Sequence, residues 1–275
     1  MMKKFLMRKS KKETQIKTIA IPETVNSNKL LDGKTALIIG GTSGIGLSMA
    51  EEFLKHGCEV IIAGRSNDRL KEAINRIDCR LKGVVIDIRD IASFDDKIDE
   101  CRQNTLQKKI DILVNCAGVR SETTFFDCKE EDYNSVFSTN VKGVYFMCQA
   151  MGRYMIKNGI KGHILNVSSS SALRPAQTPY QISKWAIRGM TLGLADALFP
   201  FGIIVNGIAP GPTATPMLGI SEEGNIYQPA FQLGRYELPR EIAQLAVFLV
   251  SSLGNVVVGD TLYASGGSGV ISMHK

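Results

Sequence analysis

With 275 residues, 44% of them hydrophobic, the chain suits one large α/β domain with a sizeable core. No apolar run reaches the roughly 18 residues that a membrane-spanning helix needs. The net charge of +6 is confined to the start of the chain: Lys3, Lys4, Arg8, Lys9, Lys11 and Lys12 precede the first acid, Glu13, and the remainder balances bases against acids, which excludes whole-protein steering toward nucleic acid.

Residues 1–30 read as a basic, solvated arm without the apolar core or cleavage site of a secretory signal. Residues 31–275 read as the folded domain. An apolar run, Thr35–Ile39, leads into Gly40-Gly41-Thr42-Ser43-Gly44-Ile45-Gly46, and a helical pattern follows to Lys55, with Gly57 as its stop. Further strands are expected at 59–63, 83–87, 110–115, 162–167, 203–208 and 261–264. Helices are expected at 67–77, 130–157, 179–198 and 241–250. Charged amphipathic sequence covers 91–107, and an irregular Pro/Gly loop runs from the sixth strand to about Tyr236. Short apolar strands alternating with helices predict a doubly wound, parallel seven-stranded sheet of the Rossmann-like class, in a single domain. The cysteines at 58, 79, 101, 116, 128 and 148 form no C-x-x-C pair and are expected to be reduced in a cytoplasmic protein; with histidines only at 56, 163 and 274, no metal site is expected.

Ligands of such sheets bind beyond the carboxyl ends of the strands, so the chemistry is sought there. A helix opening on a glycine turn presents free N–H groups and a positive dipole end, which together bind phosphate. Gly40 serves the tight turn, Gly44 the approach of a pyrophosphate and Gly46 close packing of the helix. An acid about 20 residues on would hold the 2′-hydroxyl of NAD. Here that position is Gly64, and Arg65 follows it. Its planar, permanent charge suits a 2′-phosphate, so NADP(H) is expected over NAD(H), unless Arg65 merely pairs with Asp68. Arg69 stands one turn along.

Tyr180-Gln181-Ile182-Ser183-Lys184 places a phenol and an ammonium at i and i+4, on one helix face. A free phenol titrates near 10. An ammonium at about 4 Å, at an effective dielectric near 20, favours phenolate by up to about 4 kcal/mol. Such a pair can serve as general acid or base.

These features occur in register with Asp87-Ile88, Asn115-Cys116-Ala117-Gly118, Asn140-Val141, Asn166-Val167-Ser168-Ser169, Pro210-Gly211 and Gly266-Gly267. Over roughly 33–267 the chain resembles the short-chain dehydrogenase/reductase family. The resemblance implies an NADP(H)-dependent oxidoreductase interconverting a ketone and a secondary alcohol, with a 3-oxoacyl thioester as the first substrate class to test. Tyr180 would be the general acid/base, Lys184 would sharpen its acidity and hold the nicotinamide ribose, and Asn140 would anchor a proton relay. Ser169 would hold the substrate oxygen, with Ser168, Ser170 and Ser171 as alternatives. Cofactor contacts are expected from Gly40, Thr42, Ser43, Gly44, Ile45, Gly46, Arg65, Asp87, Ile88, Asn115, Ala117, Gly118, Tyr180, Lys184, Pro210, Gly211, Thr213 and Thr215. Three positions depart from the family pattern: Ile39 for Thr, Cys116 for Asn and Ser265 for Asp. Relatives pair through their long helices, so a homodimer or homotetramer is expected through 130–157 and 179–198. The alternative is an NADP(H)-binding regulatory or scaffold protein with little turnover.

Overall fold

The computed structural model describes residues 29–77 and 80–271. Seven strands form one parallel sheet: β1 (Thr35–Ile39), β2 (Glu59–Gly64), β3 (Lys82–Val85), β4 (Ile112–Asn115), β5 (His163–Val167), β6 (Ile204–Ile208) and β7 (Thr261–Leu262). Their order across the sheet is β3-β2-β1-β4-β5-β6-β7. The order reverses between β1 and β4, which makes that crevice the switch point where a ligand is expected.

Among the described residues, seven α-helices connect and cover the strands: α1 (Gly44–Lys55), α2 (Asn67–Ile77), α3 (Phe94–Gln103), α4 (Glu130–Phe137), α5 (Val144–Lys157), α6 (Pro179–Leu198) and α7 (Pro239–Val250). The two-residue period of a strand sorts its side chains onto opposite faces. Ala36, Ile38, Val60, Ile62, Ile112 and Val114 pack with Phe53 of α1, Leu70 of α2 and Val247 of α7. Leu37, Ile39, Ile61, Ala63 and Leu113 pack with Ile98 of α3, Met151 of α5 and Ile187 of α6. Because both faces are covered, the strands are apolar throughout instead of alternating.

Several expected boundaries shift. The helix expected over 130–157 is two helices, α4 and α5, joined by a π-helical turn at Ser138–Gly143. The apolar period continues through that turn, so pattern alone does not reveal it. Expected strands 83–87, 110–115 and 261–264 are shorter, which leaves Asp87 in the loop beyond β3. The charged segment 91–107 resolves into a 3-10 turn, Ile91–Ser93, and α3. The expected arm falls on residues 1–28, outside the described residues, except for its last two positions; there Leu30 already packs against the core. Cys79 and His274 also lie outside. Among the described residues, no helix is long and apolar enough to cross a membrane, and no group of His, Cys, Asp or Glu stands ready to hold a metal ion.

Candidate active site

The carboxyl ends of β1, β2, β4 and β5 open into one cleft of about 1240 Å³. Its floor is the glycine turn between β1 and α1. Gly40 adopts φ +81°, and a Cβ there would stand 2.6 Å from the amide nitrogen of Ala117; a Cβ on Gly46 would stand 2.3 Å from the carbonyl oxygen of Gly40. Neither position accepts a side chain. The backbone is thus left bare where α1 begins. Ser43 caps α1 without spending its hydroxyl on the helix, and no acid lies in the first turn. This is a cradle for a phosphate.

At the far end, Arg65 emerges just after β2 and Arg69 follows on α2, and both line the cleft. Among the described residues, Arg65 makes no ion pair, with Asp68 or any other acid. Asp87, in the loop after β3, is the one carboxylate among the described lining residues. Both of its oxygens are engaged by Arg89, whose Nη2 lies 2.6 Å from Oδ2 and whose Nε lies 3.0 Å from Oδ1. Hydrogen bonding from Arg89 holds the carboxyl below its ordinary range, with Arg65 adding a smaller charge effect. Arg89 was not among the expected contacts; its two-residue spacing from Asp87 was its only trace in the sequence.

The chemical end is stitched between β5 and α6. Thr178 and Gln181 form a reciprocal capping box, and Pro179 opens the helix, which fixes the turn that bears Tyr180. Lys184 follows one turn later. Its Nζ donates to the carbonyl oxygen of Val167 at 2.9 Å and lies 5.6 Å from the centre of the Tyr180 ring. The Ser168 hydroxyl donates to the carbonyl oxygen of Lys184 at 2.9 Å. Tyr180, Lys184 and all four serines line the same cleft as the glycine turn.

The four serines are not equivalent. Ser168 is buried and spends its proton on α6, and Ser170 is buried too. Ser169 caps a 3-10 turn, Ser170–Leu173; its Oγ accepts from the amide of Ser171 at 3.1 Å, and its hydroxyl donates to Ser171 Oγ at 3.2 Å.

Asn140 lies in the π-helical turn, buried behind the cleft. Its Oδ1 accepts from the amide of Val119 at 2.8 Å, and its Nδ2 donates to Val119 O at 2.9 Å and faces Ser183 Oγ at 3.1 Å. It therefore ties the loop after β4 to α6. Asn115 stands below the sheet end rather than in the cleft, bonded through Nδ2 to Asn166 Oδ1 and Cys148. Thr42, Gly44, Ile45, Ile88, Ala117, Gly118, Pro210, Gly211, Thr213 and Thr215 all line the cleft. The Thr213 hydroxyl is directed at Gly211 O, 3.1 Å away, and that of Thr215 at Thr213 O, 3.2 Å away. Behind this loop lies a residue without a sequence signal, Glu237. Its carboxylate accepts from the amide of Gly211 at 3.0 Å, and burial pushes its pKa up to about 7.

The cleft brings together bare backbone at a helix start, Arg65 and Arg69, which make no ion pair among the described residues, and the side chains of Tyr180, Lys184 and the serines. Such a cleft can take a dinucleotide across the switch point. A family profile described as short chain dehydrogenase matches residues 34–225. The chain is similar to the L-2,3-butanediol dehydrogenase of Corynebacterium glutamicum, at 32% identity over 85% of this chain and 98% of that one. It is also similar to a 3-oxoacyl-[acyl-carrier-protein] reductase of Chlamydia pneumoniae, at 35% identity over 86% and 97%. Among solved structures, a 3-ketoacyl-(acyl-carrier-protein) reductase from Brucella melitensis, complexed with NADH, superposes with a TM-score of 0.77 at 31% identity, covering 88% of this chain and 100% of that one. The chain belongs to the short-chain dehydrogenase family, and it is an oxidoreductase that uses a nicotinamide cofactor to interconvert C=O and CH–OH.

Proposed function

We propose that the protein reduces a ketone to a secondary alcohol with NADPH, or runs the reverse reaction. The observation that carries this reading is the shared cleft: Tyr180, Lys184 and Ser169 line the same space as the glycine turn and Arg65. The bound nicotinamide would supply or accept the hydride. The hydroxyl of Tyr180 gives its proton to the carbonyl oxygen in reduction and takes it back in oxidation. Ser169 would turn its proton to that same oxygen in exchange for its 3.2 Å bond to the Ser171 hydroxyl, while its Oγ accepts from the Ser171 amide. Lys184, braced by Val167 O, holds its ammonium beside the Tyr180 ring, where it would meet a ribose hydroxyl. Asn140 holds the Val119 loop and α6 at a constant separation, so that the proton-carrying groups share one geometry.

The preference for NADP(H) rests on Arg65. It lines the cleft without an ion-pair partner among the described residues, and no acid stands at the end of β2 to repel a 2′-phosphate. Arg69 adds a second cation. Pairing of protomers through α5 and α6 belongs to the same reading; Tyr145, Trp185 and Leu192 are large apolar side chains exposed on those helices.

The test is NADPH oxidation over a panel that begins with 3-oxoacyl thioesters, the class named by the Chlamydia relative, and extends to sugar and cyclic ketones. Tyr180→Phe is expected to lower kcat by at least about 10²-fold while NADPH still binds. A scaffold protein would bind NADPH, and Tyr180→Phe would change nothing measurable; that outcome would displace the enzyme reading.

A further inference from the structure

The basic side chains of the cleft are unevenly accounted for. Arg65, Arg69, Arg89, Arg120, Arg174 and Lys184 line it, against the single carboxylate of Asp87 among the described lining residues. Arg65 and Arg69 serve the phosphate end, Arg89 is paired with Asp87, and Lys184 stands beside Tyr180. Arg120 and Arg174 remain. They line the same cleft as Ser169, Met217, Phe231 and Tyr236.

Arg174 is the one of the two that is held in place. Its carbonyl oxygen accepts from the indole Nε1 of Trp185 at 2.9 Å, and its Nη2 donates to Ser268 Oγ at 2.7 Å. Ser268 is itself buried, 4% exposed, in the glycine-rich segment after β7. No carboxylate among the described residues pairs with Arg174. A neutral hydroxyl fixes the direction of the guanidinium and leaves its charge whole. A fixed, solvent-exposed fork that lines the cleft without a carboxylate partner among the described residues suits an incoming anion. Ser169 and Arg174 also flank one 3-10 turn, Ser170–Leu173. At about 2 Å of rise per residue, the two ends of that turn lie within about 10 Å. An anion held at Arg174 and a carbonyl at Ser169 thus share one cleft, at the two ends of one short turn.

Building on the carbonyl chemistry assigned above to Tyr180 and Ser169, we propose that Arg174 is a specificity-determining residue that selects ketones carrying a carboxylate or phosphate. A substrate anion replaces the missing counter-charge, and Ser268 keeps the guanidinium turned toward it.

The experiment compares matched pairs on the full chain with NADPH: acetoacetate against ethyl acetoacetate, levulinate against ethyl levulinate, and dihydroxyacetone phosphate against dihydroxyacetone. The wild type is expected to favour the charged member in kcat/KM by about tenfold or more. Arg174→Gln is expected to lower that ratio by about 10- to 100-fold, chiefly through KM. Arg174→Lys, which keeps the charge and loses the fork, should fall between the two. The carboxylate and phosphate pairs distinguish the two anions. A second readout needs no turnover. Trp185 is the sole tryptophan of the chain, so its emission reports directly on the Arg174 carbonyl. Titrating each anion into the protein loaded with the oxidised cofactor, NADP+, which cannot reduce it, should change that emission saturably in the wild type and not in Arg174→Gln.

The proposal is overturned if the wild type shows no charged-over-neutral preference in any pair, if Arg174→Gln leaves the ratio within about threefold of wild type, or if no anion changes Trp185 emission saturably. Neutral ketones reduced with a flat ratio would leave the reductase reading intact and remove this one. Saturable binding at Trp185 without reduction of any ketone would uphold the anion site and remove the reductase reading.

Discussion

Glu237 offers a direct test of how burial and charge are balanced behind the cofactor loop. It is 5% exposed, and its backbone bonds to Pro212 and Ala214 on the strip that lines the cleft. Its carboxylate accepts from Gly211 N and lies 3.4 Å from Thr213 Oγ1, and both contacts favour the charged form; burial outweighs them and raises the pKa from 4.5 to about 7. The native state therefore binds the proton more tightly than the unfolded chain does. Its stabilising effect is complete below the unfolded value of 4.5 and is lost as the pH rises through about 7. Integrated from about pH 5 to about pH 8, the loss comes to about 2 to 3 kcal/mol. Glu237→Gln keeps the acceptor for Gly211 and removes the titration. Urea unfolding of both proteins, at several pH values and one protomer concentration, isolates this group because every other titrating side chain is common to the pair. The variant should gain on the wild type by about 2 to 3 kcal/mol across that window. A stability difference that stays constant within about 0.5 kcal/mol would show that the carboxyl is not the buried, proton-binding group described here.

Three further expectations follow from single contacts. Arg65→Gln should raise the Kd for NADPH by about 10- to 100-fold and leave that for NADH nearly unchanged, as measured by titration of cofactor fluorescence; equal effects on both would remove Arg65 from the 2′-phosphate. Asn140→Ala strands the amide and carbonyl of Val119 and should cost about 2 to 3 kcal/mol, with kcat falling more than KM rises, as read from unfolding curves and steady-state kinetics together. Thr178→Ala removes the cap of α6 and should cost about 1 kcal/mol in chemical unfolding, and it should lower kcat by loosening the turn that carries Tyr180.

Local sequence determined which elements form and where their chemistry stands. The strand–glycine–helix order, the Tyr180–Lys184 spacing and the arginine in place of an acid after β2 all depend on neighbours within a few residues, and a chain read in one dimension displays them. The break between α4 and α5 is different. An i→i+5 turn leaves the apolar period nearly intact, so only the packing of Asn140 between the Val119 loop and α6 reveals it. The four consecutive serines are also told apart only by folded contacts: the Ser168 hydroxyl is spent on the carbonyl of Lys184, while that of Ser169 bonds within its own turn, to Ser171. Asn115 sits in a motif that suggests a cofactor contact, yet pairing of β4 with β5 turns its side chain toward Asn166 beneath the cleft. Glu237 and Arg174 carry no local pattern at all. One is brought behind Gly211 and the other onto Ser268 by chain closure across 26 and 94 residues, and burial and charge at those contacts are properties of the folded arrangement alone.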